Sequence, residues 1–485
     1  MPEKTIEYSI DTEVPETYLQ SMFDFIYQKY ILPQKNRFAN VSRKTVENHP
    51  LLTYDALDIS RKQRFNVELV GTSPINVKIT PMTQGVTDAE VEEARQDIVI
   101  FVELFEEQAR TTTLYFAWRE GEEIVPEETS GKEKKPINRL FLETQILLFI
   151  LFITVGMFLF FGIGSFAPGL LWIVPILLLA IQFVFVFYSN RLIAATGDWK
   201  ITENNPSIHL LEYHLPIKEH EDFKQTFPKE KLMEIKKEIY EETISKKGEI
   251  DCETAHKVFS KHGFACNPEA FTSKKVNVYQ LVKRTADKFG FPMPRIVVSN
   301  TMVPNAAASG PSPSRGVVLI TTGLLVQLKD DEILSVLGHE FGHLKGRDPL
   351  LLYGLTGGEF LLRFYVFLPL FPVIFLSYLF FLYFWAVMMV IYFISKFFEA
   401  RADLVSAIVI GQPKILAEAL EKIGFKRLLM ERTPSFRFQE WIGLEPHPPI
   451  YFRVKRLEKL TIPVKIKYPL IRSIKDVANE FMASF

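Results

Sequence analysis

Asp330-Asp331-Glu332-Ile333-Leu334-Ser335-Val336-Leu337-Gly338-His339-Glu340-Phe341-Gly342-His343 is the stretch on which the reading of this chain turns. Three acidic residues open it, where the positive end of a helix dipole favours negative charge. Ile333, Leu334 and Leu337 follow at helical spacing. The stretch closes on an H-E-x-x-H pattern. A helix advances about 100° per residue, so residues four apart sit within roughly 40° of one another on one face. His339 and His343 can therefore grip one zinc ion, and Glu340 stands beside it, where it can take a proton from water. The alternative is a chance match, with both histidines as ordinary core or surface side chains.

With 485 residues the chain has room for two or three domains. A formal net charge of −1 carries no nucleic-acid signature. Hydrophobic residues reach 48%, with 42 phenylalanines, while charged residues hold at 23%, so apolar and polar sequence must be segregated along the chain. Only Cys252 and Cys266 occur, which excludes a disulfide framework and a CxxC metal site. Met1 to Val14 is polar and acidic, unlike a cleavable signal peptide.

Residues 1–138 read as a soluble α/β accessory domain. Leu19, Met22, Phe23, Ile26 and Tyr30 are spaced for a helix within Pro15 to Leu32. Phe65 to Val70 and Ile75 to Thr80 read as strands, and Thr87 with Glu90 forms a capping box opening a helix to Arg110. Thr113 to Arg119 and Glu123 to Pro126 suggest a hairpin. Beyond a lysine-rich linker at Gly131 to Lys135, two uncharged runs, Ile146 to Phe166 and Leu170 to Tyr188, are each long enough to cross a bilayer. Lys132, Lys134, Lys135 and Arg139 precede them, Arg191 and Lys200 follow, and the connecting turn is uncharged, which puts both open ends in the cytoplasm. Lys229 to Lys247 reads as a charged helix, solvated or lying along a lipid surface.

Leu350 to Phe398 is a second membrane region, its length suited to two crossings. If residues on either side of it share one metal, the chain must leave and return to the same side, so the crossings are even in number. Lys345 and Arg347 before it, and Lys396 and Arg401 after it, mark that side as cytoplasmic. Glu359 and Arg363, four apart inside the region, either neutralise each other on one helix face or line a polar path. Past it, Glu399 and Asp403 share a helical face in an E-x-x-x-D spacing. Glu399 could be the third metal ligand, and Asp403 could hold a ligand histidine or an arginine.

Ile320-Thr321-Thr322-Gly323-Leu324-Leu325, Asp331-Glu332-Ile333, the His339 to His343 motif, and Glu399 to Asp403 beyond a membrane hairpin together resemble the HtpX-like membrane zinc metalloproteases, relatives of the CAAX prenyl proteases. The likeness extends to Asn305-Ala306-Ala307-Ala308-Ser309-Gly310, similar to the family's Asn-Ala-Phe-Ala-Thr-Gly strand, and to His447-Pro448-Pro449 and Arg453, spanning roughly Ile137 to Leu457. The resemblance implies one zinc per chain on His339, His343 and Glu399, with Glu340 as base. It implies substrate held on the edge of the Asn305 to Gly310 strand (Asn305, Ala306, Ala307, Ala308, Ser309, Gly310). His447 looks like the family's oxyanion-stabilising histidine, and Arg453 like its arginine near Asp403. Ala307 departs from the usual aromatic, and residues 1–138 lie outside the family core.

The expectation is an α+β, multi-pass membrane protein of about four transmembrane helices, with an N-terminal soluble α/β accessory domain and a cytoplasmic zinc-metalloprotease domain. The divisions fall at 1–138 (accessory), 139–192 and 350–396 (membrane hairpins), and 193–349 with 397–485 (protease). Its function would be that of a zinc endopeptidase of the cytoplasmic membrane, active site on the cytoplasmic side, cutting misfolded or damaged membrane proteins. Two rivals remain at this point: a CAAX-type prenyl-protein processing protease, and a non-catalytic zinc-binding scaffold or receptor.

Overall fold

The computed structural model describes residues 5–126, 145–215, 223, 226–263, 267–375 and 377–484. The basic linker residues Lys132, Lys134, Lys135 and Arg139, and Cys266, lie outside the described residues. The chain forms two compact units: Met1–Phe116 with Leu210–Lys274 and Gly424–Leu429, and Ala117–His209 with Lys275–Ile423 and Met430–Phe485.

The first unit is built on strands β1 (Ile6–Ile10), β2 (Phe38–Val46), β3 (His49–Leu57), β4 (Gln63–Val70) and β5 (Ile75–Pro81). They form an antiparallel sheet in the order β1-β5-β4-β3-β2. On β5, Ile75, Val77 and Ile79 are buried while Asn76 and Lys78 face out, the period-two pattern of a strand with one covered face. Helix α1 (Leu19–Ile26) covers that face with Leu19, Met22, Phe23 and Ile26. Helix α2 (Asp88–Thr111) joins the same core and opens on the expected capping box. There the Glu90 N–H donates to Thr87 Oγ1 at 3.3 Å, and the Thr87 N–H donates to Glu90 Oε2 at 2.8 Å.

The hairpin expected at Glu123 to Pro126 does not form. Thr113–Arg119 pairs instead in a three-stranded sheet with Ser207–His214, which in turn pairs with Phe271–Asn277. Pro126 has no N–H to offer a ladder, and side chains satisfy the carbonyls here. Trp199 Nε1 donates to Glu123 O at 3.3 Å, and Asn300 Nδ2 donates to Val125 O and Pro126 O at 3.3 and 3.1 Å.

The second unit contains helices α3 (Gln145–Phe166) and α4 (Val174–Phe187) and a four-stranded sheet of β6 (Trp199–Ile201), β7 (Arg295–Ser299), β8 (Ala306–Ser309) and β9 (Val317–Thr321). The order is β8-β9-β7-β6, with β7 and β9 parallel and the outer pairs antiparallel. All five residues of β9 are buried, as suits an inner strand covered on both faces. The H-E-x-x-H stretch is helical, within α5 (Asp330–Gly346). Helix α6 (Asp348–Leu362) follows with Pro349 in its first turn, and α7 (Leu379–Val409) returns.

Among the described residues three segments are long and apolar enough to cross a membrane: Pro168–Phe187, Asp348–Leu370 and Leu379–Val409. The two charges inside the second meet as a pair. Arg363 lies 3.2 Å from Glu359, whose other oxygen accepts the Tyr383 hydroxyl of α7 at 2.8 Å. Helices α5 and α7 approach closely because glycines line the contact. A Cβ at Gly338 would stand 2.4 Å from Ile410 Cγ1, and one at Gly342 would stand 3.0 Å from the Ala402 backbone.

Candidate metal centre

The Glu332 carboxylate accepts the Lys329 N–H at 2.8 Å and so fixes the start of α5. Three turns on, the four-residue spacing brings His339 Nε2 to 3.1 Å from His343 Nε2. Glu399 arrives from α7, with Oε2 3.4 Å from His339 Nε2 and Oε1 3.4 Å from His343 Nε2. One donor atom from each of the three residues lies within 4.8 Å of the others. Donors about 2.0–2.1 Å from a tetrahedral zinc stand about 3.3 Å apart, so the observed separations fit that ion. Glu399 Oε2 is buried without a hydrogen-bond partner, an acceptor that a cation would satisfy. The residues present therefore fit a zinc ion.

Each histidine is held from behind. His339 Nδ1 lies 2.9 Å from Asp403 Oδ1. Asp403 is gripped in turn by Arg453 of α8 (Ile450–Glu458), at 2.7 Å to Oδ1 and 2.9 Å to Oδ2. His343 Nδ1 lies 2.7 Å from Asp348 Oδ2, and Arg401 contacts both oxygens of Asp348 at 2.6 and 2.5 Å. A carboxylate on Nδ1 keeps the proton there and leaves Nε2 free to coordinate. Burial pushes the His339 imidazole down, but the Asp403 and Glu399 carboxylates outweigh it and raise it to about 10. His343 is raised too, with burial again opposing Glu399 and Asp348.

Glu340 Oε2 accepts the Ala308 N–H at 2.9 Å. Strand β8 is the edge of its sheet, and Asn305 O accepts the Thr321 N–H at 3.0 Å. By alternation, Asn305, Ala307 and Ser309 turn their backbone groups to β9, while Ala306 and Ala308 turn theirs to the open side. Gly310 follows at φ +153°, where a Cβ would meet Arg315 O at 2.6 Å, so only glycine fits. The His447 side chain is 41% exposed at the rim, its Nε2 3.6 Å from Glu399 Oε2 and its Nδ1 2.9 Å from Glu445 Oε1.

Among the side chains that contact or brace the candidate ligands, Glu340 or His447, the sequence singles out all but Asp348, Arg401 (as a site residue) and Glu445. In the sequence Arg401 reads only as a charge beside the membrane, and no motif marks Asp348. The available signal was their position, Asp348 five residues past His343 and Arg401 between the two carboxylates of E-x-x-x-D.

Comparison with known proteins assigns a family. The family described as Peptidase family M48 matches residues 272–461. The curated Protease HtpX homolog 2 of Methanosarcina acetivorans is 30% identical over 232 residues, covering 39% of this chain and 74% of that protein. The Protease HtpX homolog of Gemmatimonas aurantiaca is 32% identical over 213 residues, covering 38% and 75%. Among solved structures, the crystal structure of Ste24p from S. mikatae is 19% identical with a TM-score of 0.30, covering 36% of this chain and 49% of that one. A membrane metalloprotease is the class of protein that these relatives and the apolar helices define. The chain belongs to peptidase family M48.

Proposed function

We propose that this chain is a zinc-dependent endopeptidase of the cytoplasmic membrane, with four crossings, its site on the cytoplasmic side and the amino-terminal unit as an accessory module. Its substrates are misfolded or damaged membrane proteins. The observation that carries the reading is the meeting of His339, His343 and Glu399 across a chain excursion that is itself apolar enough to enter a bilayer.

His339, His343 and Glu399 would hold the ion. When bound, zinc supplies Lewis acidity that lowers the pKa of water toward neutrality and polarises a peptide carbonyl. Asp403 and Asp348 keep both Nε2 atoms aimed at the centre. Glu340 is the base, and the Ala308 N–H steadies one of its oxygens while the other takes the proton and passes it to the leaving amine. His447 stands at the rim to share charge developing on the carbonyl oxygen. An extended peptide pairs with the edge of β8. Because Glu340 already occupies the Ala308 N–H, that pairing draws on both backbone groups of Ala306 and on the Ala308 carbonyl.

The test measures zinc content and cleavage together on purified protein. Glu340→Gln keeps zinc and loses cleavage, whereas Glu399→Ala loses the metal. Full cleavage of an unfolded membrane protein by Glu340→Gln would end this reading. Cleavage confined to prenylated peptides would replace the substrate assignment.

A further inference from the structure

Helix α9 (Pro469–Ala483) lies beyond the residues that match family M48. We infer that one face of it rests against lipid at the edge of the bilayer, an assignment that depends on α7 being a membrane span.

At about 100° per residue the helix divides into three sectors. Ser473 and Val477 are buried on the first, where Phe481 sets its ring 5.0 Å from that of Phe393. The second is polar, and two of its acids are paired within the unit, Asp476 with Arg456 at 2.8 Å and Glu480 with Lys455 at 3.3 Å. The third is apolar and uncovered. Ile471, Ile474, Ala478 and Met482 fall within an arc of roughly 80°, and Ile471 and Met482 are 54% and 68% exposed. A helix that has already buried one face against its own core gains nothing in water from a second apolar stripe.

The neighbouring helix indicates the occupant. Arg456 bridges Ser473 Oγ at 2.8 Å and the Ala400 carbonyl, which sets Ser473 level with Ala400 of α7. Phe481 is level with Phe393. Helix α9 therefore descends antiparallel to α7, and its last turn lies about 10 Å further along the span than Ala400. The last charged residue of α7 before its apolar run is Lys396, so Met482 sits past that charge, at the level where α7 is apolar on every side. Lys475 lies on the border of the stripe about 10 Å above Met482, within reach of phosphate headgroups. Apolar tip below and basic residue above is the order of an interfacial element.

Spin labelling tests this on the full chain, with Cys252 and Cys266 replaced by serine, in phosphatidylcholine–phosphatidylglycerol vesicles. Single cysteines are introduced by Met482→Cys, by Val390→Cys on α7 as the lipid reference, and by Lys257→Cys as the aqueous reference. Relaxation by oxygen, which partitions into lipid, is compared with relaxation by a water-soluble nickel chelate. The inference expects the oxygen-to-nickel ratio at 482 to match that at 390 and to exceed that at 257 several-fold. An aqueous ratio at 482 beside a lipid ratio at 390 overturns it, as does a label at 482 shielded from both reagents, which means protein covers the face. An aqueous ratio at 390 overturns the membrane reading of α7 itself. Ile474→Cys, two turns up, is the second probe and reads between the two references.

Discussion

Asp348 opens one arm of the second apolar hairpin, and Arg401, on the other arm, holds both of its oxygens at 2.6 and 2.5 Å. The same carboxylate lies 2.7 Å from His343 Nδ1. One ion pair thus ties the two arms together and aims a candidate ligand. Gly346 makes room for it, since a Cβ there would stand 1.8 Å from the Arg401 guanidinium.

Asp348→Asn therefore weakens zinc binding by about 10–100-fold, read by competition with a chromophoric chelator. Circular dichroism of the metal-free protein controls for folding. Glu332→Gln breaks a different ion pair, on α5 itself, Glu332 with Lys422 at 2.7 Å. It should leave zinc affinity within about twofold, and equal losses in both variants would reduce Asp348 to a structural prop.

Gly342→Val should separate α5 from α7, because even a Cβ meets Ala402 at 3.0 to 3.2 Å. Overpacking of this kind costs about 1–3 kcal/mol, and the shift carries Glu399 away from both imidazoles. The expected result is a lower melting temperature with substoichiometric zinc. Wild-type zinc content in a folded variant would contradict the close-approach argument.

Glu359→Gln leaves Arg363 without its anionic partner inside an apolar helix. Removing one member of a largely buried pair costs about 3–5 kcal/mol, while replacing both with apolar groups is often neutral. Discounting for the partial exposure of both side chains (14% and 19%), the single variant should lose a few kcal/mol. Glu359→Gln with Arg363→Met should recover most of that loss. Denaturation in mixed micelles measures both, and simple additivity would rule out the pairing as the reason for these charges.

Stability of the amino-terminal unit should fall as pH rises from about 4.5 to about 8. Burial, reinforced by the Glu13 charge, pushes the Glu212 carboxyl up to about 8 against Lys274 and Arg110. Burial with Glu13 likewise raises Glu106 to about 7. A carboxyl raised on folding binds protons that the unfolded chain has released across this window, so the contribution is full below the unfolded value and lost above the folded one. Glu212→Gln should flatten the dependence in melts of the zinc-loaded protein. A slope unchanged by that substitution would remove Glu212 as its source.

Local period and composition made part of this protein legible in its sequence. The 3.6-residue repeat sets His339 and His343 on one face of α5, Thr87 and Glu90 announce α2, and long apolar runs mark the candidate membrane helices. These features rest on neighbours in the chain, so no knowledge of the fold is needed to see them. The sequence marks no strand at β1 to β3: β2 is an edge strand, largely exposed apart from Phe38, and its pairing lies in partners elsewhere. Nothing in residues 210–274 announces that they pack with the first 116. Sequence marks Glu399 as a candidate third ligand by its place just past the apolar hairpin, but only helix packing over glycine sets its carboxylate 3.4 Å from both imidazoles. Asp348 and Arg401 became a pair only there. A metal site is a statement about distances of a few ångströms between segments far apart in sequence. Sequence supplied the ligand types and one helical spacing, and only the packing of α5 against α7 set the remaining distances.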